Sequence, residues 1–130
     1  MKSHHFISVL FFAFIHTFSF SQTADALNNL RISINGDSSK EIVMSKEDFM
    51  KLETLQLNDE SFSIVSYSID APLSGGAVIE YNMQIKEWRQ VKYIADNKDC
   101  NSFVFYNIKA KYGDKIYKVA NSTTVKFESN

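Results

Sequence analysis

The chain has 130 residues, 14 basic and 15 acidic side chains, a net charge of −1 and one cysteine. That length suits a single domain with its own core, and the near-neutral balance argues against a nucleic-acid-binding surface. One thiol, Cys100, excludes an internal disulfide and a zinc cluster built within the chain, so the fold has to rest on packing.

Read in chain order, the first segment is an export leader. Lys2, His4 and His5 form a short, weakly basic start, Phe6 to Phe20 is almost wholly apolar, and Ser19 and Ser21 supply the small residues of a cleavage site. The apolar run is about 15 residues, short of the roughly 20 that span a bilayer. Residues 1–21 therefore read as a signal peptide cleaved after Ser21, and residues 22–130 as one mature domain, periplasmic or secreted. Cys100 lies too far from the leader to carry a lipid anchor, and no later segment is long and apolar enough to be a transmembrane segment of the mature chain. Cleavage removes all three histidines and six of the eleven phenylalanines, leaving 13 basic against 15 acidic residues, a net charge of −2. A mature chain without histidine can hold neither a Ser-His-Asp or Cys-His arrangement nor a histidine-ligated metal.

Residues 22–29 are polar and read as a flexible arm. Leu30, Ile32 and Ile34 alternate with Arg31 and Ser33, a half-buried strand, and Asn35-Gly36 marks a hairpin turn. Ile42 to Met44 reads as a short return strand. Ser45-Lys46-Glu47-Asp48 has the form of a helix N-cap, predicting a helix over Lys46–Leu52, with Leu55 and Leu57 continuing in extended chain. Phe62 to Ile69 is strand-like, with Val65, Tyr67 and Ile69 on one face and Ser66 and Ser68 on the other. Pro72 and Gly75-Gly76 end it, and Ala77 to Ile85 returns as the second strand of a long hairpin, aligning Ile79, Tyr81, Met83 and Ile85.

Ile85, Trp88, Val91 and Ile94 recur at three-residue steps, which favours a second short helix over more strand. Asp96 to Asn101 is a polar loop. Ser102 to Ala110 is the most apolar mature segment; strict alternation puts Val104, Tyr106, Ile108 and Ala110 on one face and Phe103 and Phe105 on the other, as in a central strand. Tyr112-Gly113-Asp114 is a turn, Lys115 to Val119 returns antiparallel, and Val125 and Phe127 close a last strand. The fold class is mainly β: an antiparallel, β-sandwich-like domain with one or two short helices.

Little in the chain points to catalysis. Asp70 and Glu80 sit on opposite strands of the proposed hairpin, close enough to approach, yet nothing else marks a cleft around them. Asp96, Asn97, Asp99 and Asn101 gather oxygen donors in one loop, without EF-hand spacing or a closing bidentate Glu. Gly75-Gly76 is too isolated for a phosphate loop, and Asn121-Ser122-Thr123 fits a glycosylation triplet that arises often by chance. The chain reads as a non-enzyme with no cofactor and no metal.

Charge is more informative. Glu41 to Asp70 carries seven acids and two lysines, a local net of −5, whereas Lys86 to Lys126 carries nine bases and four acids, a local net of +5. Either the two halves fold together and their fields cancel, or a basic face around Lys109, Lys111, Lys115 and Lys118 meets an acidic partner. Tyr106, Tyr112 and Tyr117 lie near those lysines and complete the candidate partner-binding set. The other reading is a small-ligand or carbohydrate binder using Tyr67, Tyr81 and Trp88 as a platform.

The segment Phe103-Val104-Phe105-Tyr106-Asn107-Ile108-Lys109-Ala110-Lys111-Tyr112-Gly113-Asp114 resembles the last hairpin of the C-terminal domain of the GldM/PorM family, periplasmic gliding-motility and type IX secretion components. Val43-Met44-Ser45-Lys46-Glu47-Asp48-Phe49 and Phe62-Ser63-Ile64-Val65-Ser66-Tyr67-Ser68-Ile69 are similar to two upstream segments of that domain, so the resemblance spans roughly Ile42 to Phe127. Where the family carries a Lys-x-Gly-Asp turn, this chain has Asn97-Lys98-Asp99-Cys100-Asn101, without glycine. The resemblance implies an exported protein-binding module, accessory to secretion or gliding, whose partner is another envelope or secreted protein.

Overall fold

The computed structural model describes residues 27–72, 78–84 and 87–128. The leader, residues 22–26 of the proposed arm and the Gly75-Gly76 turn lie outside the described residues, as do Ile85 and Lys86. The fold is mainly β, in two sheets with short helices.

Residues 27–29 form a helical turn whose Leu27 packs against the core. Strand β1 (Ile32–Ser33) follows. The Asn35-Gly36 turn is tight: Ile34 and Asp37 exchange backbone hydrogen bonds at 2.9 and 3.0 Å, with φ of 53° at Asn35 and 85° at Gly36. Two successive positive φ angles are what an Asn-Gly hairpin turn supplies at low cost. The next strand, β2 (Glu41–Met44), is not the return arm of this hairpin, as the sequence suggested. It pairs in parallel with β8 (Thr123–Phe127), far along the chain. Strand β1 pairs instead with β3 (Gln56–Leu57), forming a separate two-stranded sheet.

Helix α1 (Lys46–Met50) starts where the cap sequence places it. Ser45 is extended, and its hydroxyl accepts a hydrogen bond from the Asp48 backbone N–H at 3.0 Å. Glu47 and Asp48 lie in the first turn, where the helix dipole favours acids. Helix α2 (Trp88–Ala95) buries Trp88, Val91 and Ile94, at the three-residue steps read from the sequence, and Ala95 beside them.

The main sheet has six strands: β2, β8, β6 (Ser102–Tyr112), β4 (Ser63–Pro72) and β5 (Val78–Gln84) in that order, with β7 (Lys115–Lys118) also paired to β6. All pairs except β2–β8 are antiparallel. Strands β7 and β8 lie end to end along one edge of β6: β7 takes Lys109–Tyr112, and β8 takes Ser102–Phe105. The β6–β7 turn is two residues long, and Gly113 supplies the positive φ of 59° that its first position needs.

Strand β6 is not apolar on two faces. Phe103, Phe105, Ile108 and Ala110 are all fully buried on the same side of the sheet. The alternation slips by one at Asn107, which takes a left-handed conformation with φ of 49°. The partners slip at the same level: the β4 register shifts between Ile64 and Ser68. Hence Ile64, rather than Val65, joins Tyr67, Ile69 and Ala71 in the core.

Helices α1 and α2 and the β1–β3 ribbon contribute to that one core. Phe49, fully buried, lies at its centre, with ring centroids 5.5 Å from Trp88, 5.6 Å from Phe103 and 5.2 Å from Phe127. The Trp88 indole N–H donates to the Leu52 carbonyl at 3.1 Å, tying α2 to the chain leaving α1. Asn121 is a structural clasp: its amide donates to the carbonyls of Asn28 and Leu30 at 3.2 and 2.9 Å.

Two stability changes follow. Phe49→Ala should cost about 3–5 kcal/mol in urea denaturation, because the three surrounding rings cannot close the void, whereas Tyr93→Ala, at a side chain 82% exposed, should change stability by less than about 0.5 kcal/mol. Asn107→Gly should fold normally, and Asn107→Val should be less stable than Asn107→Gly by about 1–2 kcal/mol, since a β-branched residue resists the left-handed region.

Candidate functional site: the β6–β7 hairpin

The bulge at Asn107 sorts the hairpin side chains. Beyond it, Ile108 and Ala110 turn inward, and Lys109 and Lys111 turn to solvent. Across the ladder Lys109 faces Lys118, and Lys111 faces Ile116. Directly opposed residues of an antiparallel pair share a face with Cβ atoms about 5 Å apart. Lys109, Lys111, Lys118 and Ile116 therefore form one exposed patch, with Ile116 58% exposed at its edge. Ser63 and Ser66 of β4 continue these rows on the other flank of β6.

Among the described residues no acid forms an ion pair with the patch. The described ion pairs are Lys51 with Glu47 and Asp48, and Lys126 with Glu41, so Lys109, Lys111, Lys115 and Lys118 form none with a described residue. The opposed signs of the two chain halves thus do not cancel locally at this hairpin.

The tyrosines of the candidate set do not gather with the lysines. Tyr112 and Tyr117 lie on the inner side, partly buried, with ring centroids 5.0 and 6.4 Å from Phe62. Lys115 is opposite Tyr112 in register and exposed at that rim. Tyr106 is half-buried, and its hydroxyl donates to Asp70 Oδ1 at 3.2 Å. It lines an open cleft of about 340 Å³ with Asn107, Lys118 and residues 119–122. Another cleft, of about 360 Å³, runs along residues 55–57 and Glu60 to Phe62, Ser63 and Ile64.

Ile116 is the functional candidate that sequence reasoning passed over. The signal for it was the two-residue step Ile116-x-Lys118 beside a turn. Phe62, which braces both tyrosines from just before β4, had none.

The carbohydrate platform is not formed. Tyr67 is 1% and Trp88 6% exposed, both packed in the core, so neither ring offers a face to a ligand; the Tyr81 side chain lies outside the described residues. Asp70 and Glu80, on opposite strands of the hairpin, are register partners, and Asp70 is already engaged by Tyr106. In the polar loop, Asn97 Oδ1 accepts from the Asp99 N–H, and the Asn97 carbonyl accepts from Lys46 Nζ at 2.8 Å. Among the described residues no three His, Cys, Asp or Glu side chains gather.

Cys100 is fully buried, with Sγ 3.6 Å from the Ser102 carbonyl. Burial pushes its thiol above the ordinary range, against smaller opposing effects of Lys46 and the Ser102 backbone, in keeping with its place in the core. Burial also pushes the Tyr67 phenol far up, with Glu87 adding to the rise. Its hydroxyl has no hydrogen-bond partner among the described residues.

In the unfolded chain that phenol ionises near pH 10, whereas the folded state holds it neutral. The unfolded state alone gains by losing the proton, so stability is retained below about pH 10 and declines above it. Tyr67→Phe should flatten this alkaline decline, read as a smaller difference between urea midpoints at about pH 8 and about pH 11 than in the parent chain. Compared with known proteins, the chain matches no family model, no curated protein and no solved structure.

Proposed function

We propose that this chain is a non-enzymatic protein-binding module acting in the periplasm or outside the cell, with the outer face of the β6–β7 hairpin as its contact surface. The carrying observation is the opposition of Lys109 to Lys118, with Lys111 and exposed Ile116 beside them and no ion pair to a described acid. Like charges directly across a ladder weaken it, so stability alone does not favour the arrangement, and an acidic partner removes the repulsion. An exposed aliphatic side chain beside charged ones is a common make-up of a contact patch.

Export rests on the leader pattern of residues 1–21. Among the described residues no helix is long and apolar enough to cross a membrane. The hairpin is also the segment with the densest resemblance to the GldM/PorM C-terminal domain, which supports a role accessory to type IX secretion or gliding. Burial of Tyr67 and Trp88 leaves the carbohydrate reading without its platform.

The test is site-specific photocrosslinking in native cells, with the crosslinker at Lys111 or, as control, at exposed Ser39. A partner should be captured from Lys111 and not from Ser39. Reversing Lys109, Lys111 and Lys118 to Glu should lower capture by about tenfold or more without changing the thermal midpoint by more than a few degrees. Equal capture from both positions, or capture untouched by charge reversal, would sink the reading.

A further inference from the structure

Strand β7 pairs with β6 alone among the described strands, so none of them covers its other edge. The ladder determines what that edge offers. The Val119 N–H donates to the Ile108 carbonyl at 2.8 Å, so 108 and 119 are a hydrogen-bonded pair. Such pairs alternate along an antiparallel ladder, and 110–117 and 112–115 are therefore of the same kind. Ile116 and Lys118 lie between them, with their backbone N–H and C=O groups directed away from β6, toward the other edge.

Side chains decide what can fill that edge. Lys115 and Lys118 make up half of this four-residue strand. A second copy of β7 laid alongside would bring lysine against lysine, and lysine is a common guard against such self-pairing. The same charges select a strand of opposite sign. Residues two apart along a strand are about 6.6–6.8 Å apart on one face, the spacing of Lys109 and Lys111. An added strand with acids at every second position would set a row of carboxylates beside Ile116 and Lys118, with Lys109 and Lys111 one strand further in.

We infer that the β7 edge takes an extended acidic peptide segment, which adds to the sheet through the outward backbone groups of Ile116 and Lys118 and is selected by the Lys109, Lys111 and Lys118 side chains. This rests on the protein-binding reading and names both the partner's chemistry and the mode of contact. Main-chain hydrogen bonds would supply affinity, and the alternate carboxylates register and specificity.

The test uses the purified full chain and three probes: a peptide alternating Asp with Val and capped at both ends, an isomer with its aspartates contiguous, and an oligogalacturonate of equal charge. The alternating peptide should bind at least about tenfold more tightly than the other two. It should also slow amide exchange at Ile116 and Lys118 by a similar factor while leaving the inward amides of the hairpin unchanged. Ile116→Pro deletes one outward donor and leaves the β6 ladder intact; it should abolish the preference for the alternating peptide. Lys118→Glu, which keeps every backbone group, should weaken the alternating peptide by about tenfold. Equal binding of the two peptides, stronger binding of the oligogalacturonate, no binding at all, or unchanged exchange at Ile116 and Lys118 would each overturn strand addition. If Lys111 still captures a protein in cells under any of these results, the binding-module reading stands and only its mode falls.

Discussion

The main sheet gathers its core on one face, and every strand has to deliver its apolar side chains to that side. Strand β6 is the severe case, because it is eleven residues long and flanked on both edges. Strict alternation would place Lys109 and Lys111 beside Phe103 and Phe105, inside the core. Burying two unpaired ammonium groups costs far more than one left-handed residue. The chain takes the cheaper course at Asn107, whose short polar side chain tolerates that conformation better than most. One backbone step thereby unites Phe103, Phe105, Ile108 and Ala110 and expels both lysines to the surface. The core and the candidate contact patch are products of the same bulge.

The inner face is closed by aromatic packing. Phe49 comes from a helix of only five residues, too short to hold its shape without tertiary contacts. Its ring touches Trp88 of α2, Phe103 of β6 and Phe127 of β8, so a single side chain joins both helices to two strands. Lys46, at the start of the same helix, lies over the Phe127 ring, 5.4 Å from its centroid, and reaches the Asn97 carbonyl. The loop after α2 is held by that ammonium group.

Features that depend on neighbouring residues were legible in the sequence. The Asn35-Gly36 turn, the Ser45 cap, the Trp88-Val91-Ile94 stripe and the Gly113-Asp114 hairpin each carry their signal within a few positions, and the structure forms all four. Features that depend on distant partners were not. Nothing near Glu41–Met44 announces a parallel neighbour at Thr123–Phe127, and nothing near Gln56-Leu57 announces β1. The bulge at Asn107 was hidden because Phe103, Val104, Phe105 and Tyr106 are apolar at every position, so a slip of one residue leaves no mark in the pattern. Of the four lysines, Lys109, Lys111 and Lys118 share one face, whereas Lys115 lies opposite Tyr112 on the other. The separation of the first three from Tyr112 and Tyr117 was not legible, since it follows from the slip.

The Asn121 clasp also bears on the order in which the molecule assembles. It joins residues 91 positions apart, and the β2–β8 pairing links similarly distant segments. Closing a long loop costs entropy before any contact offsets it, and non-local pairing slows folding. The β4–β5 and β6–β7 hairpins close only short loops and form at little such cost. By that cost the two ends of the described domain meet last, after the central sheet exists to receive them. Until then β8 lacks its outer neighbour, and Asn28 and Leu30 present their carbonyls to water. Completion of this fold is a joining of chain ends, and the clasp is the latch that closes it.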